Sequence, residues 1–276
     1  MTIATLDEVL EPALGRGHAI AGLVCLGWED MRAYAEAAEI EGLAVILQAG
    51  PSCRAHTPLP VLGAMMRHLA ERATVPVVVH LDHGYSADEC REAIESGFSS
   101  VMYDGSRKPL DENIAETAAI VELAHGAGVS CEGEIGFVGY AEGKTSSGTD
   151  PAEAEAFARD TGIDAMAVSV GNVHLQNVGA GSVDLHALDA IRARTDVPLV
   201  IHGGSGIPPE QRRDLARRGL VQKFNIGTEL RQAFGDALRD RLARDARSFD
   251  RIEILRDVEE AMVERARSVI RNLGPA

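Results

Sequence analysis

Eight short apolar runs, separated by stretches with helical periodicity, constrain this chain more than any other feature of it. The runs are Ala19–Leu26, Leu43–Gln48, Val75–Leu81, Ser99–Tyr103, Val129–Ile135, Asp164–Val170, Val197–Ile201 and Val221–Ile226. Most are nearly continuous in Val, Ile, Leu and Ala rather than alternating, which is how strands covered on both faces of a parallel sheet read. Helical segments fit Leu6–Leu14, Glu29–Ile40, Val61–Arg72, Ala87–Ser96, Glu112–His125, 151–160 and Pro208–Arg218. Eight strands, each handed to a helix, favour a closed (β/α)8 TIM barrel over a doubly wound open sheet. The third and seventh runs both read V-P-[VL]-V-[VI]-H, as equivalent barrel strands would. The reading is one barrel domain over 1–276 with extra C-terminal helices. Within Gly235–Asn272, residues Ile252, Leu255, Val258, Met262 and Ala266 recur at helical spacing and are expected to pack on the barrel or on a partner subunit.

The polar residues of these strands collect at one end. Asp82, His83, Glu132, Glu134, His174, His202 and Asn225 all fall at or near carboxyl ends, where barrel enzymes keep their sites. His80 and Asp82 share a face by strand alternation, and His83 is placed to swing over the strand end. Three imidazoles at strand ends 3, 6 and 7, with no fourth fixed ligand, suit the open coordination of a catalytic Zn²⁺, with Co²⁺ or Mn²⁺ as substitutes. His18, His56, His68, His125 and His186 fall in loops or helices and receive no role. Gly203, Gly204 and Ser205, in His-Gly-Gly-Ser-Gly, expose backbone N–H groups before a helix; Asn225, Gly227 and Thr228 repeat the arrangement at the next strand end. Adjacent cradles after strands 7 and 8 are where barrels commonly bind phosphate.

Charge sharpens that point. With 42 acidic against 27 basic residues the chain carries a formal −15, which argues against nucleic-acid or anionic-membrane surfaces, so any anionic ligand must be held by local dipoles or a metal. The four cysteines, Cys25, Cys53, Cys90 and Cys131, are too scattered for a zinc knuckle or disulfide framework and read as reduced cytoplasmic thiols. No signal peptide is read in Met1–Glu11, and no run approaches the ~20 apolar residues needed to span a bilayer.

Six motifs in order, HLDHG (80–84), DGSRKPLDENI (104–114), CEGEIG (131–136), SVGNVH (169–174), IHGGSG (201–206) and KFNIGTEL (223–230), resemble the class II, metal-dependent ketose-bisphosphate aldolases. That resemblance implies His83, His174 and His202 as zinc ligands, with Glu134 a carboxylate near the metal. It implies Asp82 as the acid/base at the cleaved bond and Glu142, in GYAEG, as the mobile-loop proton carrier. It further implies a sugar-phosphate substrate cleaved to dihydroxyacetone phosphate and an aldehyde, and a homodimer or homotetramer.

The chain departs from the family pattern in three places. Where Tyr-Lys usually follows the second zinc ligand, this sequence has His174-Leu175-Gln176-Asn177-Val178 and so lacks a basic phosphate contact. A Ser or Thr usual near Gly50 is absent, with Ser52 nearby, and the arginine of the usual Asp-Pro-Arg stretch is displaced in Phe249-Asp250-Arg251-Ile252. The expected aldehyde product is therefore not restricted to glyceraldehyde 3-phosphate. Competing readings are another metal-dependent barrel lyase or hydrolase, a sugar-phosphate-binding barrel without catalysis, and a Schiff-base aldolase using Lys223, the only lysine on a strand.

Overall fold

The computed structural model describes residues 2–139, 146–174 and 181–275. Eight parallel strands close on themselves: β2 (Ile20–Cys25), β3 (Val45–Ala49), β4 (Val77–Gly84), β5 (Ser100–Tyr103), β6 (Ser130–Ile135), β7 (Ala165–Val168), β8 (Leu199–Ile201) and β9 (Lys223–Ile226). Each pairs with its successor, and β9 returns to β2, so the barrel of the sequence reading is the fold. A ninth, two-residue strand, β1 (Ile3–Ala4), pairs with the lower part of β4.

Period-2 alternation sorts the strand residues into two cores. Outward side chains such as Val77, Val79, Leu81, Phe224 and Ile226 are buried against the surrounding helices. Inward ones, Ile20, Ile46, Val78, Met102, Ala165, Ala167 and Val200, fill the lower barrel, and helix α1 (Leu6–Leu14) plugs the floor with Leu6, Val9 and Leu10. Above that apolar plug the inward positions turn polar: Gln48, His80, Asp82, Glu132, Glu134, Lys223 and Asn225 are all buried. An interior this polar is tolerable only where every charge meets a partner or a ligand.

The helices follow the strands as α2 (Trp28–Glu41), the short α3 (Pro51–His56), α4 (Leu59–Arg72), α5 (Ala87–Glu95), α6 (Leu110–Gly126), α7 (Pro151–Thr161), α8 (Leu185–Arg192), α9 (Pro209–Arg217) and α10 (Thr228–Arg244). The C-terminal stretch is two helices, because α10 ends at Arg244 and α11 (Arg251–Leu273) begins from the Asp250 cap. Val258, Met262 and Ala266 of α11 are buried, as their spacing predicts, but Ile252 is 66% exposed, at the rim of a groove shared with Trp28 and Arg32. Among the described residues no helix is long and apolar enough to cross a membrane.

Candidate active site

Alternation would send His83 outward if Asp82 points in, yet both reach the barrel mouth. The reason is a bulge. Between β4 and β5, Leu81 pairs with Val101 and Gly84 with Tyr103, so three steps on one strand face two on the other. The extra residue is taken up at His83, whose φ of 56° makes it the one non-glycine left-handed residue among those described. Such a backbone costs energy and persists where its surroundings hold it. Here the holder is Arg54 of α3, a side chain only 7% exposed. It donates to the carbonyls of Ala49 (2.9 Å), Asp82 (2.6 Å) and His83 (2.8 Å), while Nε pairs with Glu89 at 2.7 Å. Sequence reasoning missed Arg54; its partners lie up to 35 residues away.

Beneath the mouth lies a fully buried ionic layer. Lys223 Nζ donates to Glu132 at 2.5 Å and lies 3.3 Å from His80 Nε2, and His80 Nδ1 meets Ser100 Oγ at 2.8 Å. The other Glu132 oxygen lies 3.1 Å from His202 Nε2. Lys223 has no exposed surface, is spent on Glu132 and does not line the cleft, so the Schiff-base reading lacks a reachable amine.

These contacts fix the imidazoles. With His202 Nε2 turned to Glu132 and His83 Nδ1 2.8 Å from Asp104, the free positions are His202 Nδ1 and His83 Nε2. Both are buried with no hydrogen-bond partner, and so is Glu134 Oε2. His174 completes the group: one nitrogen from each of His83, His174 and His202 lies within 4.8 Å of the others. The ring centroids are 4.6, 5.3 and 5.6 Å apart. Glu134 Oε2 sits 3.5 Å from His83 and 3.7 Å from His202, and groups with His83 and Asp104 as a second set of donors. Orphaned nitrogens converging beside carboxylates fit a divalent cation.

The protonation preferences agree. Burial, then the charge on His83, lowers His174 to about 4, and burial takes His202 well below its usual value, so both rings present lone pairs. Burial opposes a charge on His83 too, yet the carboxylates of Asp82, Asp104 and Glu134 lift it to about 10. The position therefore demands positive charge. Burial pushes Glu134 well up, with Asp104 adding to it, whereas Asp82, though burial works against its charge, is held below the usual range by His83 foremost.

The mouth opens into a cleft of about 340 Å³ that exposes Asp82, His83 and His174. Asn225 Nδ2 donates to Asp82 at 3.2 Å, and a Cβ on Gly50 would lie 3.2 Å from the other Asp82 oxygen, so the carboxylate occupies the space a side chain there would want. Gly203, Ser205, Gly227 and Thr228 line the cleft; Gly204 does not, lying behind them against Ile226. Gly203 is left-handed, and a Cβ would strike the Val173 carbonyl at 2.3 Å. Ser205 Oγ accepts from Gly227 N (3.2 Å) and Glu229 N (3.3 Å), so this hydroxyl locks the two loops together rather than standing free. Asp104 and Arg231 were also not singled out from sequence, although Asp104 follows the fourth strand in the quoted DGS. Glu142 and the stretch Leu175–Val178 lie outside the described residues.

Comparison with known proteins adds a family. The model for class-II fructose-bisphosphate aldolase matches residues 4–276. A 6-phospho-5-dehydro-2-deoxy-D-gluconate aldolase of Bacillus velezensis is 37% identical over 284 aligned positions, covering 100% of this chain and 97% of the relative. A fructose-bisphosphate aldolase of Geobacillus stearothermophilus is 37% identical, covering 95% of each. The crystal structure of the YdjI aldolase of Escherichia coli K12 superimposes with a TM-score of 0.88 at 31% identity, over 99% of this chain and 98% of that one.

Proposed function

The chain belongs to the class-II fructose-bisphosphate aldolase family and is an aldehyde-lyase, and we propose that it reversibly cleaves a ketose phosphate to dihydroxyacetone phosphate and an aldehyde not restricted to glyceraldehyde 3-phosphate. The observation that carries this reading is the convergence of three imidazoles, two with orphaned nitrogens, beside the Asp82 carboxylate in an open cleft. In the reading, His83, His174 and His202 hold a zinc ion, with cobalt or manganese able to substitute, and Glu134 stands beside it. When bound, the cation supplies Lewis-acid polarisation of the substrate carbonyl.

The remaining work falls to side chains. Asp82 is kept ionised and oriented by Asn225, and takes the proton of the hydroxyl on the carbon that becomes the aldehyde. As that O–H pair forms the new C=O, the adjacent C–C bond breaks and its electrons pass toward the ketone carbonyl. A proton must then return to the carbon left behind, a role proposed for Glu142. The loops of Gly203–Ser205 and Gly227–Thr228 orient the phosphate with backbone N–H groups, that of Gly227 excepted because it is spent on Ser205 Oγ. Arg251 supports an aldehyde without a phosphate of its own, because it lies in a separate groove with Trp28 and Arg32 and not in the cleft. Assembly as a homodimer or homotetramer belongs to the same reading and is supported by Phe249, 94% exposed, next to the exposed Ile252.

Retro-aldol cleavage of a panel of ketose phosphates, scored by dihydroxyacetone phosphate release with and without chelator, tests the proposal. Release lost to EDTA and restored by Zn²⁺ is the expected result. Release that survives thorough chelation would overturn it.

A further inference from the structure

Arg231 stands one helical turn into α10, where its backbone N–H closes on Gly227 O at 3.0 Å. The side chain folds back over that first turn, with Nη2 3.8 Å from where a Cβ on Gly227 would be. It lines the same cleft as Asp82, His83 and Thr228, and among the described residues no other arginine and no lysine does. Its Nε is buried with no hydrogen-bond partner. No carboxylate of the described residues lies within ion-pair distance of it, whereas Arg54, Arg212, Arg241 and Arg267 are each paired with a carboxylate and the half-buried Arg192 donates to the Val197 carbonyl.

A guanidinium left unpaired in a −15 chain that could supply carboxylates freely marks a position kept open for an anion. Its fork of N–H groups matches two oxygens of a phosphate, and the N-terminus of α10 adjoins it with the same polarity. The stretch 175–180, Leu-Gln-Asn-Val-Gly-Ala, offers no cation of its own. We propose that Arg231 is the specificity-determining contact for the substrate phosphate, supplying from α10 the positive charge that residues 175–180 lack. This rests on the reading of the substrate as a ketose phosphate. The carboxylates around His83 then face the reacting end of the substrate, and Arg231 sets which end is the phosphate.

Calorimetric titration of inorganic phosphate and of dihydroxyacetone phosphate into the metal-loaded wild type, Arg231→Gln and Arg231→Lys tests this without turnover. Loss of a charge-assisted contact predicts roughly 10- to 100-fold weaker binding by Arg231→Gln, with substantial recovery in Arg231→Lys and unchanged metal content and Tm. In cleavage assays KM for the phosphorylated ketose rises by a similar factor while kcat changes far less. Phosphate binding by Arg231→Gln within twofold of wild type, or no phosphate binding by the wild type, would overturn the assignment. Arg231-dependent phosphate binding without cleavage of any ketose phosphate would instead sink the proposed reaction and leave the contact standing. Cleavage with a KM untouched by the substitution would do the reverse.

Discussion

Replacing Lys223 by methionine separates a structural lysine from a catalytic one. Methionine keeps most of the aliphatic volume, so the cavity contribution is small and the main loss is the ammonium 2.5 Å from Glu132. Both partners are fully buried, which leaves Glu132 with only the imidazoles of His202 (3.1 Å) and His80 (3.7 Å) against its charge. Removing one partner of a buried pair costs about 3–5 kcal/mol, because the survivor is a charge out of water. At this chain length that corresponds to a fall in Tm of about 6–10 °C. Urea unfolding of Lys223→Met should show the loss. The double variant Lys223→Met/Glu132→Gln, with the charge removed from both sides, should recover most of it, a positive coupling of about 2–3 kcal/mol. A single-variant loss below about 1 kcal/mol, or a double variant no better than the single, would refute the ionic layer as drawn. Borohydride treatment with substrate should trap no adduct at Lys223, since the amine does not reach the cleft.

Three further perturbations probe neighbouring parts. Asp82→Asn should retain metal but lower kcat by about 10²–10⁴, and turnover near wild type would remove Asp82 from the proton transfer. Arg54→Met frees three carbonyls and leaves Glu89 with the Tyr85 N–H alone, so a loss of about 2–4 kcal/mol is expected, together with weaker retention of metal as the His83 bulge relaxes; metal content equal to wild type after dialysis would contradict the holding role. Glu41 is held down to about 2 from 4.5 by hydrogen bonds from Arg271 and then Arg267. A depressed carboxylate stabilises the fold above its unfolded pKa and loses that contribution as pH falls through the folded one. Glu41→Gln should therefore be less stable than wild type by about 0.5–1 kcal/mol at pH 7 and converge with it near pH 2, and a gap that persists in acid would exclude this linkage.

The barrel was legible because buried parallel strands leave continuous apolar runs, and all eight appear within two or three residues of their expected ends. Two helices were not singled out. Helix α3 hides in Pro-Ser-Cys-Arg-Ala-His, whose first two residues read as the closure of a strand, and α8 is too short to stand out from its surroundings. The imidazoles were legible because strand ends are marked in sequence. The His83 bulge was not, because its backbone is set by how many residues face it on β5, a property of the pairing rather than of the motif. Arg54, Asp104 and Arg231 share a different obstacle. Their importance lies in what they touch, and those contacts are made across the mouth from separate βα units.

The interior also answers how so acidic a chain could recognise an anion. From the floor upward, the plug of α1 and Val78, Met102 and Val200 excludes water, so charges above it interact strongly. Lys223 neutralises Glu132, and Glu132 can then orient His202 without adding net negative charge beneath the site. The carboxylates around His83, namely Asp82, Asp104 and Glu134, outnumber the one imidazole they face, and a divalent cation would offset the excess. That leaves the outer cleft governed by Arg231 and the N-terminus of α10, both positive. Net charge over the whole surface acts at long range and is screened within about 10 Å at ordinary ionic strength, so this local ordering, and not the −15 total, decides what binds at the mouth.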